Sequence, residues 1–197
     1  MISSFISRFN QLFPTHENKL PWQLTEQLED ILQQLQTSPE EYEIEEGSLI
    51  HKTAVIEQNV VLKGPVFVGR NTFISANAYL RGPVYLDEDV KIGAGCEIKQ
   101  SIIFSNTAIA HFNYIGNSII GSNVNFEAGS VAANHYNERE DKKISVLYHG
   151  DIVRTGVQKF GSLVGDGARI GANAVLSPGT ILQRGAIVGR LELISQI

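Results

Sequence analysis

Aliphatic residues recur along the chain at a fixed step of six: Ile50, Ile56, Leu62, Val68, Ile74, Leu80, Leu86, Ile92 and Ile98. Two steps of five, Ile98 to Ile103 and Ile115 to Ile120, shift the series without ending it, and it runs on through Ile109, Phe126 and Ala132. After a gap it resumes at Val164, Ile170, Leu176, Leu182 and Val188. Four residues beyond most early anchors stands a small or β-branched residue: Ala54, Val60, Val66, Thr72, Ala78, Val84, Val90 and Cys96. A helical face repeats in steps of three and four, and a lone amphipathic strand in steps of two. A step of six fits neither; it fits one short strand plus one corner. Self-similarity at a fixed period marks a solenoid. Three such units close a triangle, so one coil takes 18 residues.

The chain before residue 47 has a different pattern. Ile2, Phe5, Ile6, Phe9, Leu12 and Phe13 follow the spacing of one helical face, and Pro14 stops that helix. A second helix is predicted from about Pro21, with Leu24, Leu28, Ile31, Leu32 and Leu35 on one side, closed by Thr37-Ser38-Pro39. The domain organisation expected is a helical extension over 1–46, followed by the solenoid over 47–197. The helices suit an end cap of the solenoid or an oligomer contact. His135 to Gly161 breaks the period and carries Glu138, Arg139, Glu140, Asp141, Lys142 and Lys143 together, which predicts a polar loop insertion at about 135–161. Insertions this long inside a regular solenoid are either functional loops or solvated excursions.

Composition narrows the function classes. Hydrophobic residues make up 43% of the 197, which is ordinary for a folded domain and excludes a disordered chain. No run of 18 apolar residues is present, so no membrane-spanning helix is expected, and the apolar N-terminus lacks the basic start of a signal peptide. The single cysteine, Cys96, offers no disulfide framework and falls on an inward small position, as a packed thiol in a cytoplasmic protein would. The net charge of −5 argues against nucleic-acid binding.

On this acidic background one side of the solenoid is basic. Lys63, Arg81 and Lys99 are separated by 18 and 18, and each follows an inward anchor, so each points outward on the same face one coil apart. Like charges about 4.8 Å apart repel, and the other two faces carry no such column. The column suggests an anion site such as a phosphate; splayed side chains neutralised by Asp87 or Glu88 are the alternative. His111 lies just beyond it, with Ala94 and Ala76 on preceding coils and Ala128 on the next, which leaves room beside an imidazole.

The stretches Ala110-His111-Phe112-Asn113-Tyr114-Ile115-Gly116-Asn117 and Gly121-Ser122-Asn123-Val124-Asn125-Phe126-Glu127-Ala128-Gly129-Ser130-Val131-Ala132-Ala133-Asn134 resemble a known family. It is the hexapeptide-repeat acyltransferases, in particular the acetyltransferase domain of bifunctional N-acetylglucosamine-1-phosphate uridyltransferase / glucosamine-1-phosphate acetyltransferases and of archaeal sugar-1-phosphate nucleotidyltransferase/acetyltransferases. The resemblance covers roughly residues 47–188. It implies an all-β fold, the left-handed parallel β-helix, and an acetyl-CoA-dependent N-acetyltransferase acting on an amino-sugar phosphate or a nucleotide sugar. It places the catalytic base on His111, sugar-phosphate contacts on Arg81 and Lys99, and substrate contacts on Tyr114, Asn125 and Asn134. It places acetyl-CoA contacts on the Ala128 amide and near Ala172 and Gly189. It also implies a homotrimer with active sites shared between subunits, a small-molecule amino-sugar phosphate as partner, and no metal, nucleic acid or membrane.

The sequence departs from the family at several positions. Glu127 stands where the family has glycine, His135 replaces a tyrosine, and Glu140 replaces a loop lysine, with Lys142 and Lys143 nearby. The arm that helps cover CoA is short, since the sequence stops at Ile197, and no Gly-rich nucleotidyltransferase segment precedes the repeats. Glu127 and the short end favour a second reading, a non-catalytic sugar-nucleotide-binding or regulatory scaffold. A zinc carbonic anhydrase on the same scaffold is disfavoured, because His111, His135 and His149 lack the three-histidine spacing.

Overall fold

The computed structural model of the protein describes residues 1–35, 38 and 40–197. From Ser48 the chain winds through strands of two to four residues that stack in parallel into three sheets, a left-handed parallel β-helix. The first face starts at Ser48–His51 and continues through Val66–Val68, Val84–Leu86, Ile102–Ile103, Ile119–Ile120, Ser162–Val164 and Thr180–Leu182. The second face starts at Val55–Ile56 and the third at Val61–Lys63. The six-residue anchors meet along the axis in one core, with Leu80, Leu86, Ile92, Ile98 and Ile115 fully buried, and Cys96 lies among them. Register follows the arithmetic of the repeat. Leu62 pairs with Leu80 and Leu80 with Ile98. The five-residue steps shorten a coil, so Ile98 pairs with Ile115 and Leu86 with Ile103. Corners fall on Asn59, Asn71, Asn77, Asn106 and Asn123, all at positive φ. Asparagine tolerates that conformation because its short amide bonds locally, whereas a β-branched side chain clashes.

The N-terminal residues lie along the side of the solenoid, not over its end. On the first face the residues flanking the anchors are apolar too: Phe67, Tyr85, Ile102, Phe104, Ile119, Leu163 and Ile181 point outward and are buried under the N-terminal segment. That segment is shorter-paced than two regular helices. It comprises a 3₁₀ turn at Ile2–Ser4, α1 at Phe9–Leu12, a 3₁₀ turn begun by Pro14, α2 at Pro21–Glu26 and α3 at Leu28–Gln33. Ile2, Phe5, Ile6, Phe9, Phe13, Leu24, Leu28, Ile31 and Leu32 are buried, as their spacing predicts; Leu12 and Leu35 are only partly so, and Trp22 is buried with them. Thr37 and Pro39, expected to close the second helix, lie outside the described residues. The rim is pinned by polar contacts: Ser7 N and Oγ donate to Asp166 Oδ2 at 2.9 and 2.8 Å, Arg184 Nε donates to the Phe5 carbonyl at 2.9 Å, and Arg8 pairs with Glu88 at 2.8 Å and with Asp87 at 3.3 Å.

The excursion after Asn134 leaves and rejoins without loss of register: Ile120 pairs with Val164, Phe126 with Ile170 and Ala132 with Leu176. It is only partly the polar loop its composition predicts. Ser145–Tyr148 and Asp151–Arg154 form an antiparallel hairpin, and Tyr136, Ile144, Val146 and Phe160 bury themselves in the same apolar layer as the N-terminal helices. The Phe160 ring meets Trp22 edge-on at 5.8 Å.

Candidate functional site

The basic column exists as the spacing requires. Lys63, Arg81 and Lys99 are neighbours in register on the third face, and the next position in line is Gly116. Within the column Arg81 Nη1 is bonded to Glu97 Oε1 at 2.7 Å, and its guanidinium lies 5.8 Å from the Tyr79 ring. The Lys99 ammonium is held below its ordinary pKa, chiefly by burial, then by the charges of Lys159 and Arg81, with Glu97 opposing. Lys159 is therefore near enough for its charge to act on Lys99. The insertion delivers it: the Phe160 amide donates to the Asn134 carbonyl at 3.0 Å and the Gly161 amide to the Asn117 carbonyl at 2.9 Å.

Gly116 clears space where the column passes from cations to amides. A Cβ there would lie 2.6 Å from Tyr114 Oη and 2.9 Å from Asn134 Cγ, so the absence of a side chain lets the Tyr114 ring lie along the face. Asn134 is buried; its Nδ2 donates to Asn117 Oδ1 at 2.6 Å, and its Oδ1 is 3.2 Å from His135 Nδ1. Tyr114 and Asn134 thus meet at Gly116, in line with Arg81 and Lys99. Lys159 is the addition. The sequence has Glu140 where the family has a loop lysine and offers Lys142 and Lys143 nearby, yet the lysine that acts on Lys99 is Lys159, close to where the repeat resumes.

The second group sits on the corner between the second and third faces. Ile92, Ile109, Phe126 and Ile170 are in register, which stacks Ala94, His111, Ala128 and Ala172 one per coil. His111 is exposed while its backbone is fixed: its carbonyl accepts from the Gly129 amide at 2.9 Å and from Asn113 Nδ2 at 3.3 Å. The imidazole leans over Gly93, where a Cβ would lie 3.0 Å from its Cδ2. Ala128 is exposed, and its carbonyl accepts from the Asn173 amide at 3.0 Å. The Ala172 amide is occupied, donating to Glu127 Oε2 at 2.9 Å, and the Gly189 amide donates to Glu192 Oε2. Asn125 is not with Tyr114 and Asn134. It lies on the second face, where it lines an open cavity of 510 Å³ with Glu127, Arg169, Gly189 and Arg190.

Glu127 is the most perturbed carboxylate there. Arg190 grips it with two bonds, Nε to Oε2 at 2.8 Å and Nη2 to Oε1 at 2.9 Å. That pair first, and the Ala172 amide second, lower its pKa from 4.5 to about 2. A carboxylate depressed on folding contributes stability above its ordinary pKa and loses it as pH falls through the folded value. Thermal melts of Glu127→Gln between pH 4.5 and 2 should therefore fall less steeply than those of the parent chain; parallel curves would contradict the assignment.

Within one chain the two groups stand at opposite ends of the third-face strand Tyr114–Gly116. His111 to Gly116 is at most about 16 Å of extended chain. Among the described residues no cluster of three or more histidine, cysteine or carboxylate side chains could hold a metal, and no helix is long and apolar enough to cross a membrane.

Fold and repeat together make the chain a hexapeptide-repeat β-helix protein. Residues 62–157 match the GMPPB C-terminal domain and residues 163–189 the hexapeptide repeat of succinyl-transferase. It is similar to the bifunctional protein GlmU of Methanococcus vannielii, 38% identical over 51% of this chain and 24% of that protein. It is similar also to the bifunctional sugar-1-phosphate nucleotidylyltransferase/acetyltransferase of Sulfurisphaera tokodaii, 37% identical over 45% of this chain and 22% of that protein. The GlmU of a Picosynechococcus species is 35% identical over 66% of this chain and 25% of its own length. The chain spans about a quarter of the length of these relatives.

Proposed function

We propose that the protein is an acyltransferase that moves an acetyl group from acetyl-CoA to the amine of an amino-sugar phosphate. The observation that carries this is the Lys63–Arg81–Lys99 column ending beside Tyr114 and Asn134, with Lys159 near Lys99, on a chain similar to a bifunctional sugar-1-phosphate nucleotidylyltransferase/acetyltransferase. The phosphate would sit against Lys99, Lys159 and Arg81, with Tyr114 and Asn134 meeting the sugar. His111 would take the proton from the amine as its nitrogen attacks the thioester carbonyl. An imidazole suits this because it changes charge near neutral pH. The Ala128 amide would stabilise the oxyanion of the tetrahedral intermediate, and its collapse forms the amide and releases the CoA thiolate, which takes up a proton. Acetyl-CoA would lie along the corner by Ala172 and Gly189. Because His111 and the phosphate group stand at opposite ends of one face, the reading has two chains share each site, in a homotrimer.

Lys99→Ala and Lys159→Ala should each raise KM for the amino-sugar phosphate about tenfold, with kcat largely kept, as loss of a hydrogen bond to a charged group predicts. Arg81→Ala should act the same way. Unchanged KM in all three variants would remove the phosphate role from the column. Glu127 supports a second reading, a non-catalytic binder of sugar nucleotides, since its carboxylate holds the Ala172 amide. Thermal stabilisation of the chain by acetyl-CoA supports the enzyme; stabilisation by a sugar nucleotide alone supports the binder.

A further inference from the structure

The contact between Glu127 and Arg190 joins residues 63 positions apart across two coils, at the rim of the 510 Å³ cavity. Part of what Glu127 does is ordinary scaffolding. Near the start of the solenoid Glu57 Oε2 accepts from the Ala76 amide at 2.8 Å, the same carboxylate-to-corner-amide bond that Glu127 makes to Ala172. What Glu57 lacks is an arginine. At Glu127 the guanidinium of Arg190 closes over the carboxylate in a two-bond fork, while Arg169, on the second face of the same cavity, makes none of the ion pairs found among the described residues. The Arg190 side chain is 72% exposed.

We propose that the Glu127–Arg190 pair is a displaceable latch on the donor side of the site: a phosphate-bearing acyl donor opens it by taking Arg190, with Arg169, as its phosphate-binding residues. This rests on the acyl-CoA reading above. The chemistry of exchange is favourable. Exposed ion pairs are weak because water screens both charges, so the latch can open. A phosphate accepts the same planar fork as a carboxylate and carries more charge, so Arg190 loses nothing in changing partner. Release of Arg190 leaves Glu127 held by the Ala172 amide alone. The latch makes Glu127 a specificity-determining residue: donors without a phosphate have nothing to offer Arg190 and meet a closed rim.

The test is calorimetric titration of CoA into the intact chain and into Glu127→Gly, Glu127→Gln and Arg190→Ala. The latch requires Kd about two- to fivefold lower in both Glu127 variants, the range set by an exposed pair, and severalfold higher in Arg190→Ala. Glu127→Gln can still accept from the Ala172 amide, so its gain reports the Arg190 contact and not loss of the scaffold bond. Binding by a Glu127 variant alone supports the latch in its strongest form. CoA bound equally by all four chains overturns the latch and leaves the donor reading standing. CoA bound by none overturns the donor reading, and the latch falls with it.

Discussion

Replacement of His111 by alanine should lower kcat by about 10²–10⁴ while the melting temperature stays near that of the parent chain. The two halves of that expectation come from different features. The imidazole is exposed and leans over Gly93, so its removal opens no cavity in the core. Its carbonyl is held by the Gly129 amide and the Asn113 side chain, neither of which depends on the ring. Only chemistry is then left to change. Loss of a general base lowers kcat without altering ground-state binding, so KM for both substrates should stay within a fewfold. Turnover of an amino-sugar phosphate at the parent rate in this variant would sink the base assignment, whatever became of the phosphate column.

Phe160→Ala should cost about 3–5 kcal/mol of stability, the usual range for removing a fully buried phenylalanine. For a chain of this size that is a fall in Tm of roughly 6–20 °C. Phe160 is completely buried, meets Trp22 of α2 edge-on, and follows Lys159 directly. Its backbone, through the Asn134 carbonyl, sets where Lys159 stands. The variant should therefore lose substrate affinity as well as stability: measured well below its Tm, it should show a raised KM for the amino-sugar phosphate and an unchanged KM for acetyl-CoA. A stability loss with both KM values unmoved would separate Lys159 from the phosphate site.

The solenoid was legible because each strand sends one anchor to the axis and each corner costs a fixed number of residues. That arithmetic needs no tertiary information, and it carried over directly to the Lys63–Arg81–Lys99 column. The covered first face left a sign that anchors alone do not show. Phe67-Val68, Tyr85-Leu86, Ile102-Ile103-Phe104 and Ile119-Ile120 are continuous apolar runs, and a strand that is apolar on both sides is buried on both. The site residues supplied by returning chain were out of reach. Lys159 comes at the end of an excursion whose path the period does not set, and the Glu127–Arg190 contact can be found only once the length of that excursion is known. Asn125 shows the limit of resemblance as a guide to grouping: in this chain it faces the cavity beside Glu127, away from Tyr114.

The apron of N-terminal helices has a consequence in time. Its rim is tied to Asp166 and Arg184, 159 and 179 residues downstream of the groups they hold. A ribosome adding about 5–20 residues per second needs roughly 10–35 s to bridge that distance. For most of that interval Phe5 and Trp22 lack their ring partners Tyr148 and Phe160, while the growing coils can wind one upon another as they emerge. The helices of the apron are thus locked only after the coils that carry Asp166 and Arg184 have been made.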